Sequence, residues 1–434
     1  MTKTLSFTLL IEQRKDDINI IIIIIIIIMR IIKRDGKADN LTFDEIVKRL
    51  SDLCDPIDES YRDFPAISSS INREDVGLTD FASKIYDGLK DEMKSQELDV
   101  LMAEEAACRI VKHPDFDKLA ARITVSSLHE STRNCSEFSQ VTDKLRNAIH
   151  PSTKVPTPMV NLQYYQTVMI NADRLEKAID YKKDYMYNYF GLQTLKHSYL
   201  LKIDDEVVER PQHLLMRVAV GIHGDDIDAA IETYELMSKH LFTHASPTMF
   251  NAGSTTPQMS SCYLLALQED SISGIFQTLT DAALISKQGG GIGLHIHNMR
   301  ASGSVISSSN GKALGIMPFV RIYNETMKCV NQCGKRKGAA AVYVEPWHAN
   351  IEDIVECRKN TGNEELRARE IFPAVWIPDE FMRRVHNDEK WTLMCPSECQ
   401  GLSDVYGEKF DDLYRWYEKE KEERRQFALE NYGN

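Results

Sequence analysis

One cysteine, Cys262, stands where a polar loop meets an apolar run. The stretch THASPTMFNAGSTTPQMSSCYLL, residues 243–265, sets Cys262 behind small and hydroxylated residues and ahead of a segment typical of a β-strand. A lone cysteine is more often a small buried apolar side chain, whereas a reactive thiol needs a polar and partly exposed setting. Ser246, Ser260 and Ser261 offer that setting, and we therefore predict that Cys262 is reactive.

Two glycine-containing stretches come close to phosphate-binding motifs and fail. GSVISSSNGKA, residues 303–313, has the wrong spacing for a Walker loop and ends in alanine where a hydroxyl should hold magnesium. GGGIG, residues 289–293, precedes a predicted strand instead of opening a helix, so the dinucleotide fingerprint does not apply. Consecutive glycines still indicate a close approach to the backbone, either by a ligand or in a plain turn.

The cysteine spacings do not indicate a metal site. The pairs Cys329/Cys333 and Cys395/Cys399 have no histidine at ligand spacing, and structural zinc sites show tighter pairs. We therefore predict that the chain binds no metal. The basic loop NQCGKRKGAA, residues 331–340, is either a solvated turn or a mobile loop whose amides and cations contact phosphate or base edges.

Composition excludes several classes of protein. The 434 residues are 43% hydrophobic and 27% charged, as in an ordinary soluble protein of two or three domains. A net charge of −13 argues against nucleic-acid binding. The nine cysteines are unevenly spaced and form no disulfide framework, which favours a reducing, cytoplasmic compartment. The isoleucine-rich stretch 18–32 is too short for a comfortable membrane span, so we expect no membrane partner.

The first half of the chain carries helical patterns. We expect residues 1–28 to be a low-complexity leader outside the fold. After Met29, the Asp35-Gly36 pair predicts a hairpin, and Thr42 with Glu45 predicts a capping box that opens a helix. A hairpin and about four helices then form a first domain, residues 29–130. Residues 131–160 are polar and contain prolines, which predicts a linker, and residues 161–255 are predicted to be helical.

The pattern changes in residues 256–434. GGGIGLHIH, AAAVYVEP, FPAVWIP and WTLMCP are typical of strands, and helical segments separate them. Strand–helix alternation predicts a parallel α/β sheet or barrel. The alternation continues through WTLMCP, the last of these motifs, and a charged helical segment ends the sequence.

Several long segments together resemble one family. HASPTMFNAGSTTPQMSSCYLL, ALISKQGGGIGLHIHNMRASGS, NQCGKRKGAAAVYVEPWH, KNTGNEELRARE, NYFGLQTLKHSYLL and ERPQHLLMRVAVGIHGDDIDAAIETY closely resemble the large subunit of class I ribonucleotide reductases, in the same order. The resemblance runs from about Met29 to the end of the sequence. It implies an ATP-cone, a helical segment and about half of a ten-stranded α/β barrel.

The resemblance implies a reaction and its partners. Members reduce the 2′-carbon of ribonucleoside diphosphates, using a radical from a small subunit with a di-metal site. The resulting thiyl takes the 3′-hydrogen, and two cysteines supply two electrons. Thioredoxin or glutaredoxin restores the thiols, and the large subunit itself binds no cofactor. By resemblance Cys262 is one of the redox pair, Ser246 and Ser261 hold the substrate, and Gly291 lies close to it.

Two effector sites follow from the same resemblance. A specificity site binds a deoxynucleoside triphosphate or ATP in a large-subunit homodimer or higher oligomer, and the loop 331–338 carries the effector's identity to the substrate. Its residues here are Asp270, Ser271, Ile272, Lys287, Arg300, Ser307 and Ser308. The activity site in the cone binds ATP or dATP, and its residues here are Lys33, Arg34, Asp39, Asn40, Leu41, Thr42, Phe43, Asp44, Glu45, Ser95 and Asp99.

The chain also departs from the family pattern. Glu130 stands where a cone lysine is expected, which puts ATP/dATP switching in doubt. The Asn-x-Cys-x-Glu motif that supplies the thiyl and a carboxylate does not occur in the 434 residues, nor do the second redox cysteine, the relay tyrosines and the shuttle cysteines. We therefore expect an N-terminal portion that is inactive alone. The alternative is a non-catalytic nucleotide-binding fragment. A glycyl-radical enzyme is disfavoured because a cone and an effector loop are both present.

Overall fold

The chain divides into two compact units. The computed structural model describes residues 29–306, 309–330 and 337–432, with backbone only for 425–432. The first unit comprises residues up to 243 together with 253–255, and the second comprises 244–252 together with the residues from 256. The predicted leader, residues 1–28, lies outside the described residues. None of the helices in the described part of the chain is long and apolar enough to cross a lipid bilayer.

The first unit is mainly helical. Its helices are α1 (Phe43–Cys54), α2 (Pro65–Ser68), α3 (Leu78–Asp87), α4 (Ser95–Ala107), α5 (Asp115–Ser131), α6 (Phe138–Arg146), α7 (Leu162–Ile170), α8 (Ala172–Ala178), α9 (Tyr189–Thr194), α10 (Pro211–His223) and α11 (Ile227–Ser238). Its strands are β1 (Met29–Ile32), β2 (Ala38–Leu41), β3 (Met93–Lys94), β4 (Lys202–Ile203) and β5 (Glu206–Val207). Short 3₁₀ turns span Arg133–Cys135 and Tyr181–Met186, and a π-helical turn spans Leu195–Tyr199.

The predicted hairpin and capping box are confirmed. β1 and β2 pair antiparallel across a turn in which Gly36 has φ +81°, a conformation that favours glycine. The peptide nitrogen of Glu45 donates to Thr42 Oγ1 (3.3 Å), and that of Thr42 donates to Glu45 Oε2 (2.8 Å). These two bonds satisfy N–H groups that the start of α1 would otherwise leave free.

The predicted linker contains a packed helix. α6 lies within residues 131–160, and its Phe138, Val141 and Leu145 are buried. The sequence did not predict this helix, because its flanks are polar and rich in proline and only three apolar residues form its buried face. α11 lies in the predicted helical segment 161–255, and its Ile227, Ala230, Tyr234 and Met237 are buried.

The second unit is built on a parallel sheet. Its strands are β6 (Cys262–Ala266), β7 (Gly291–His295), β8 (Val305–Ile306), β9 (Gly311–Lys312), β10 (Ala340–Val344) and β11 (Phe372–Val375). Its helices are α12 (Ser246–Asn251), α13 (Ile272–Lys287), α14 (Met317–Cys329), α15 (Ile351–Glu356), α16 (Asp379–His386) and α17 (Glu408–Tyr432). Short 3₁₀ turns span Glu364–Leu366, Pro396–Glu398 and Leu402–Asp404.

The sheet has the order β11-β10-β7-β6, and all three pairings are parallel. α13 connects β6 to β7, so the predicted strand–helix alternation is confirmed. The inner strands alternate: Ile292 and Leu294 of β7, like Val342 and Val344 of β10, are buried in one apolar core with the helices. Leu264 of the edge strand β6 is 88% exposed. The four described strands therefore form an open parallel sheet with helices packed on it.

One predicted strand is absent from the described sheet. In WTLMCP only Met394 forms an isolated bridge, to His348. Met394 is instead buried in a small cluster with Trp347, Leu402, Phe410 and Tyr414. The prediction was wrong because this apolar run packs against α17 and has no strand ladder to join.

A buried carboxyl lies just beyond the end of β10. Glu345 is 5% exposed, accepts a hydrogen bond from Trp347 Nε1, and lies 3.8 Å from Nε2 of His297. Burial raises the pKa of Glu345 from 4.5 to about 7. Burial and the neighbouring imidazoles lower the pKa of His297 to about 3, so this ring is neutral and offers no compensating charge.

The raised pKa of Glu345 makes stability fall with rising pH. Between pH 4.5 and 7 the folded state holds a proton that the unfolded state has released, so this carboxyl lowers the free energy of unfolding as pH rises. Glu345→Gln keeps an acceptor for Trp347. The quantity to measure, by urea denaturation, is the free energy of unfolding of Glu345→Gln minus that of the unaltered chain. We expect this difference to rise by up to about 3 kcal/mol between pH 5 and pH 8.

A matched control is Glu356→Gln. Glu356 is exposed and pairs with Lys359, and its pKa is lowered by that contact. A lowered pKa acts in the opposite direction, so the corresponding difference should not rise between pH 5 and pH 8. A flat or falling difference for Glu345→Gln would contradict the assignment.

Candidate functional site

The predicted thiol lies at the amino end of the parallel sheet. Cys262 is the first residue of β6 and faces Gly291, the first residue of β7, in the strand register. The peptide nitrogen of Gly291 donates to the carbonyl oxygen of Ser261 (2.7 Å). Cys262 is exposed and free. The structure thus brings together three of the predicted site residues, and it offers the thiol to solvent as a redox role requires.

Glycine keeps this corner open. A Cβ atom at Gly291 would lie 3.8 Å from Sγ of Cys262. A Cβ at Gly290 would lie only 2.7 Å from atoms of Tyr263 and Ile285, and one at Gly293 would lie 2.9 Å from Leu264. Gly290 and Gly293 therefore serve close packing, and Gly291 borders the thiol.

Ser246 belongs to a separate helix, α12. It is the first residue of α12. Thr248 Oγ1 donates to the carbonyl of Met259 (2.9 Å), and Asn251 Nδ2 donates to the carbonyl of Gln258 (2.7 Å). These bonds hold α12 against the segment that leads into Ser261.

A cavity of about 600 Å³ lies at the other end of the sheet. Parallel strands present their carboxyl ends at one edge, and the loops after β6 and β7 meet there. The lining residues are Asp270, Ser271, Ile272, Ile275, Met299, Arg300, Ile306, Lys312, Ala313, Leu314, Gly315, Pro318 and Phe319. Four of the seven residues predicted for the specificity site are among them. The volume lies within the range of small-molecule pockets.

Ion pairing organises the cavity wall. Arg300 Nε donates to Asp270 Oδ2 (2.6 Å), so the loop after β7 is tied to the loop after β6. Ser271 caps α13, since its Oγ accepts from the peptide nitrogen of Gly274 (3.0 Å). The helix therefore starts at the cavity with its positive dipole end.

One predicted specificity residue that the structure describes, Lys287, does not line this cavity. Lys287 is the last residue of α13, while Ile272 is the first, which separates them by about 23 Å along the helix axis. Ser307 and Ser308 lie outside the described residues, as do residues 331–336 of the predicted effector loop. Helical periodicity places a residue on a face but does not tell at which end a ligand binds, so sequence reasoning could not foresee the position of Lys287.

Lys312 lines the cavity and was not predicted. It stands in the Gly311-Lys312 pair of β9, which is the glycine-lysine step of the rejected Walker-like stretch. The missing Walker spacing was a valid reason to reject a P-loop. The same glycine-lysine step was nonetheless a signal for a cation beside a tight turn.

Strand register gathers a second set of residues in the first unit. β1 is central in the sheet β2-β1-β3, and its last residue, Ile32, pairs with Ala38 and Lys94. Lys33 follows Ile32 in the chain, Asp39 follows Ala38, and Ser95 follows Lys94. Lys33 Nζ pairs with Asp39 Oδ2, and this contact lowers the pKa of Asp39. The predicted activity-site cations and carboxylates thus meet at one end of this sheet.

Asp99 is a buried charge held by two arginines. Its side chain is 1% exposed; Arg34 Nη2 lies 3.0 Å from Oδ2, and Arg49 Nη2 lies 2.5 Å from Oδ1. Arg34 also donates to the carbonyl of Ser127 (3.1 Å). Arg49 was not predicted as an activity-site residue, because it lies on α1, an ordinary amphipathic helix that follows β2.

The predicted segment 39–45 divides between two roles. Leu41, at the far end of β2, pairs with Met29 and is buried. Thr42 and Glu45 are used in the capping box. Glu45 nevertheless contributes to the raised pKa of Lys33 electrostatically. Asn40, Phe43 and Asp44 remain predicted activity-site residues.

Cys395 and Cys399, one of the two pairs considered for zinc, have protein partners. The peptide nitrogen of Ala301 donates to Cys395 Sγ (3.3 Å), and Cys399 Sγ lies 3.5 Å from Met394 Sδ. Burial raises the pKa of Cys399 to about 11, which disfavours the thiolate that a metal needs. Cys333 lies outside the described residues.

One group of potential ligands, Asp75, His113 and Asp115, occurs among the described residues. His113 Nδ1 accepts from the peptide nitrogen of Asp115 (3.2 Å), so the neutral ring carries its proton on Nε2, which faces Asp75 at 3.8 Å. This arrangement is an ordinary histidine–carboxylate contact.

Together, the fold and the two sites define a parallel α/β protein with a free thiol at one end of its sheet, a nucleotide-sized cavity at the other, and a helical domain bearing charged residues on a small sheet. Three domain families match the chain: the ATP cone domain over residues 29–131, the ribonucleotide reductase all-alpha domain over 185–257, and the ribonucleotide reductase barrel domain over 260–430. The chain belongs to the ribonucleotide reductase large-subunit family, which confirms the resemblance and indicates nucleotide effector binding.

The similar proteins are named as large subunits of one enzyme. The ribonucleoside-diphosphate reductase large chain of Schizosaccharomyces pombe is 50% identical over 398 residues, which is 92% of this chain and 47% of that protein. The large subunits of Caenorhabditis elegans and Danio rerio are 50% and 48% identical, over 90% and 92% of this chain and 48% of each relative. The chain therefore spans about half the length of these relatives.

Proposed function

We propose that this chain supplies the nucleotide-effector sites and the first part of the catalytic barrel of a ribonucleoside-diphosphate reductase large subunit. The observation that carries the proposal is the position of Cys262, an exposed free thiol in register with Gly291 at the amino end of the parallel sheet. The cavity at the carboxyl end of the same strands supports an effector role distinct from the chemistry.

The proposed reaction replaces the 2′-hydroxyl of a ribonucleoside diphosphate with hydrogen. Two thiols form one disulfide and give up two electrons and two protons, the hydroxyl leaves as water, and the 2′-carbon gains hydrogen. Cys262 provides one sulfur. The hydroxyls of Ser246 and Ser261 hold substrate oxygens, and the side-chain-free Gly291 leaves space for the sugar. The second thiol and the hydrogen-abstracting thiyl come from residues that the resemblance places beyond these motifs.

The proposed partners follow from this chemistry. A small subunit with a di-metal site supplies the radical, thioredoxin or glutaredoxin reduces the disulfide, and large subunits associate as a homodimer or a higher oligomer. The eight cysteines of the described residues are free, which supports a reducing, cytoplasmic compartment.

The proposed effectors are ATP and deoxynucleoside triphosphates. At the cavity of the second unit, Asp270 accepts from sugar hydroxyls, and Arg300 and Lys312 face the triphosphate. A chain with net charge −13 needs such local cations to hold an anion. In the cone, Lys33, Arg34 and Ser95 meet ATP or dATP, while Glu130 weakens the discrimination between them.

The alternative function is non-catalytic nucleotide binding. It is favoured by one observation: the lining of the cavity is present on the described strands and loops, whereas the proposed chemistry needs a second thiol. Both functions require effector binding, and only the enzyme requires Cys262.

A chimeric enzyme tests the catalytic role of Cys262. Residues 29–434 are joined to the C-terminal half of the Schizosaccharomyces pombe relative and assayed with small subunit and thioredoxin. We expect turnover from the chimera, none from the 434 residues alone, and a loss of at least about 1,000-fold for Cys262→Ser, because one electron donor is gone. Cys108→Ser, at an exposed cysteine of the first unit, should keep full turnover.

Effector affinity should be nearly unchanged in Cys262→Ser, because the thiol and the cavity lie at opposite ends of β6. Normal turnover by this variant would remove Cys262 from its proposed role. Effector binding with no turnover by any chimera would favour the non-catalytic alternative.

Lys312→Met tests the effector cavity. Because the lysine adds a positive charge beside Arg300, we expect its loss to weaken dTTP binding by about tenfold, measured by calorimetry on the 434-residue chain. Thymidine, which has no phosphate, should show no such difference. Lys359→Met removes an exposed lysine paired with Glu356 and should leave affinity unchanged. Equal affinities of Lys312→Met and the unaltered chain would exclude the triphosphate contact.

A further inference from the structure

One wall of the cavity is a hairpin with little pairing of its own. We call its described parts, residues 302–306 and 309–315, the effector hairpin. β8 and β9 contribute only two residue pairs, Val305 with Lys312 and Ile306 with Gly311. Two more bonds close its base: Gly303 N donates to the carbonyl of Ala313 (2.9 Å), and Ala313 N donates to that of Ser304 (2.8 Å). So short a ribbon does not hold its position in water by itself.

Asn350 contacts the base of this hairpin from outside the cavity. Ser302 N donates to Asn350 Oδ1 (2.9 Å), and Asn350 Nδ2 donates to Ser302 Oγ (2.8 Å). Asn350 is 7% exposed and is not among the lining residues. Both ends of its amide therefore contact one residue at the start of the hairpin, and Nδ2 also donates to Asp353 Oδ2 (3.1 Å).

The end of the hairpin packs on the same amide. A Cβ atom at Gly315 would lie 2.7 Å from Asn350 Oδ1 and 2.8 Å from Ser302 N. Gly315 has φ +79°, which also favours glycine. The first and last residues of the effector hairpin thus lie against the Asn350 side chain.

Asn350 is itself held by a buried histidine. Its peptide nitrogen donates to His348 Nδ1 (3.0 Å), and His348 Nε2 donates to the carbonyl of Met299 (2.8 Å). Burial lowers the pKa of His348, so the ring is neutral and its single proton lies on Nε2. Met299 precedes Arg300 and lines the cavity. The segment after β10 therefore anchors both the loop that carries Arg300 and the hairpin that carries Lys312.

We propose that Asn350 is a positioning residue of the effector cavity. Resting on the proposed function, it sets effector affinity without touching the effector, because it fixes the base of the effector hairpin and so the position of Lys312. Preorganised binding groups lose less freedom when the ligand arrives. We therefore expect that removing the Asn350 amide reduces effector affinity, although Asn350 does not line the cavity.

The test compares Asn350→Ala with Asn324→Ala in the 434-residue chain. Asn324 is a matched control: it is 6% exposed, its Oδ1 accepts from Glu370 N (2.8 Å), and its Nδ2 donates to Glu325 Oε1 (2.9 Å). We expect dTTP affinity to fall about tenfold in Asn350→Ala and to stay within about twofold in Asn324→Ala, at similar losses of melting temperature. dGTP serves as a second probe.

Two further readouts separate positioning from general destabilisation. Ser302→Ala should weaken dTTP binding less, and it should add almost nothing in the Asn350→Ala background, because the two residues share one interaction. Hydrogen exchange at residues 303–306 and 309–315 should accelerate in Asn350→Ala and not in Asn324→Ala.

Equal affinity losses in the two alanine variants, or additive losses for Asn350 and Ser302, overturn the proposal. If the unaltered chain binds neither dTTP nor dGTP, the proposed effector function fails instead. The positioning role is then decided by hydrogen exchange alone, and unchanged exchange in Asn350→Ala overturns it.

Discussion

The parallel pairing of β6 with β7 is the constraint on which both sites of the second unit depend. Side chains alternate between the two faces of a strand, so a shift of one residue would turn Cys262 away from Gly291 and move Leu294 out of the core. The close approaches at Gly290 and Gly293 leave no space for a larger residue and so fix that register. The same five-residue ladder spans about 15 Å, which separates the thiol at its amino end from the cavity beyond its carboxyl end.

Local charge pairing has a similar organising role at both effector sites. Asp99 is enclosed by Arg34 and Arg49, and Asp270 is bound by Arg300. In each case a carboxylate keeps an arginine in place while the chain as a whole is strongly acidic. In the proposed function, a triphosphate that approaches either site would meet cations already oriented by the protein, and this preorganisation would offset the unfavourable overall field.

Sequence reasoning succeeded where the signal is local. The hairpin at Gly36, the capping box of Thr42 and the strand–helix alternation follow from turn chemistry and periodicity, and the resemblance assigned Cys262 and Gly291 to one site. It failed where tertiary packing decides. The buried face of α6 is carried by three residues in a polar segment, and the run at Met394 is buried by Tyr414. The position of Lys312 at the cavity depends on a loop path that periodicity does not encode.

The central claim is that one short ladder holds the reducing thiol and the effector cavity at opposite ends. Hydrogen exchange of the 434-residue chain with and without saturating dTTP tests it most directly. The account predicts slower exchange in residues 269–275, 299–306 and 309–315, with little change in residues 258–263. Protection centred on residues 258–263 and 289–293, with none around Asp270 and Arg300, would contradict it.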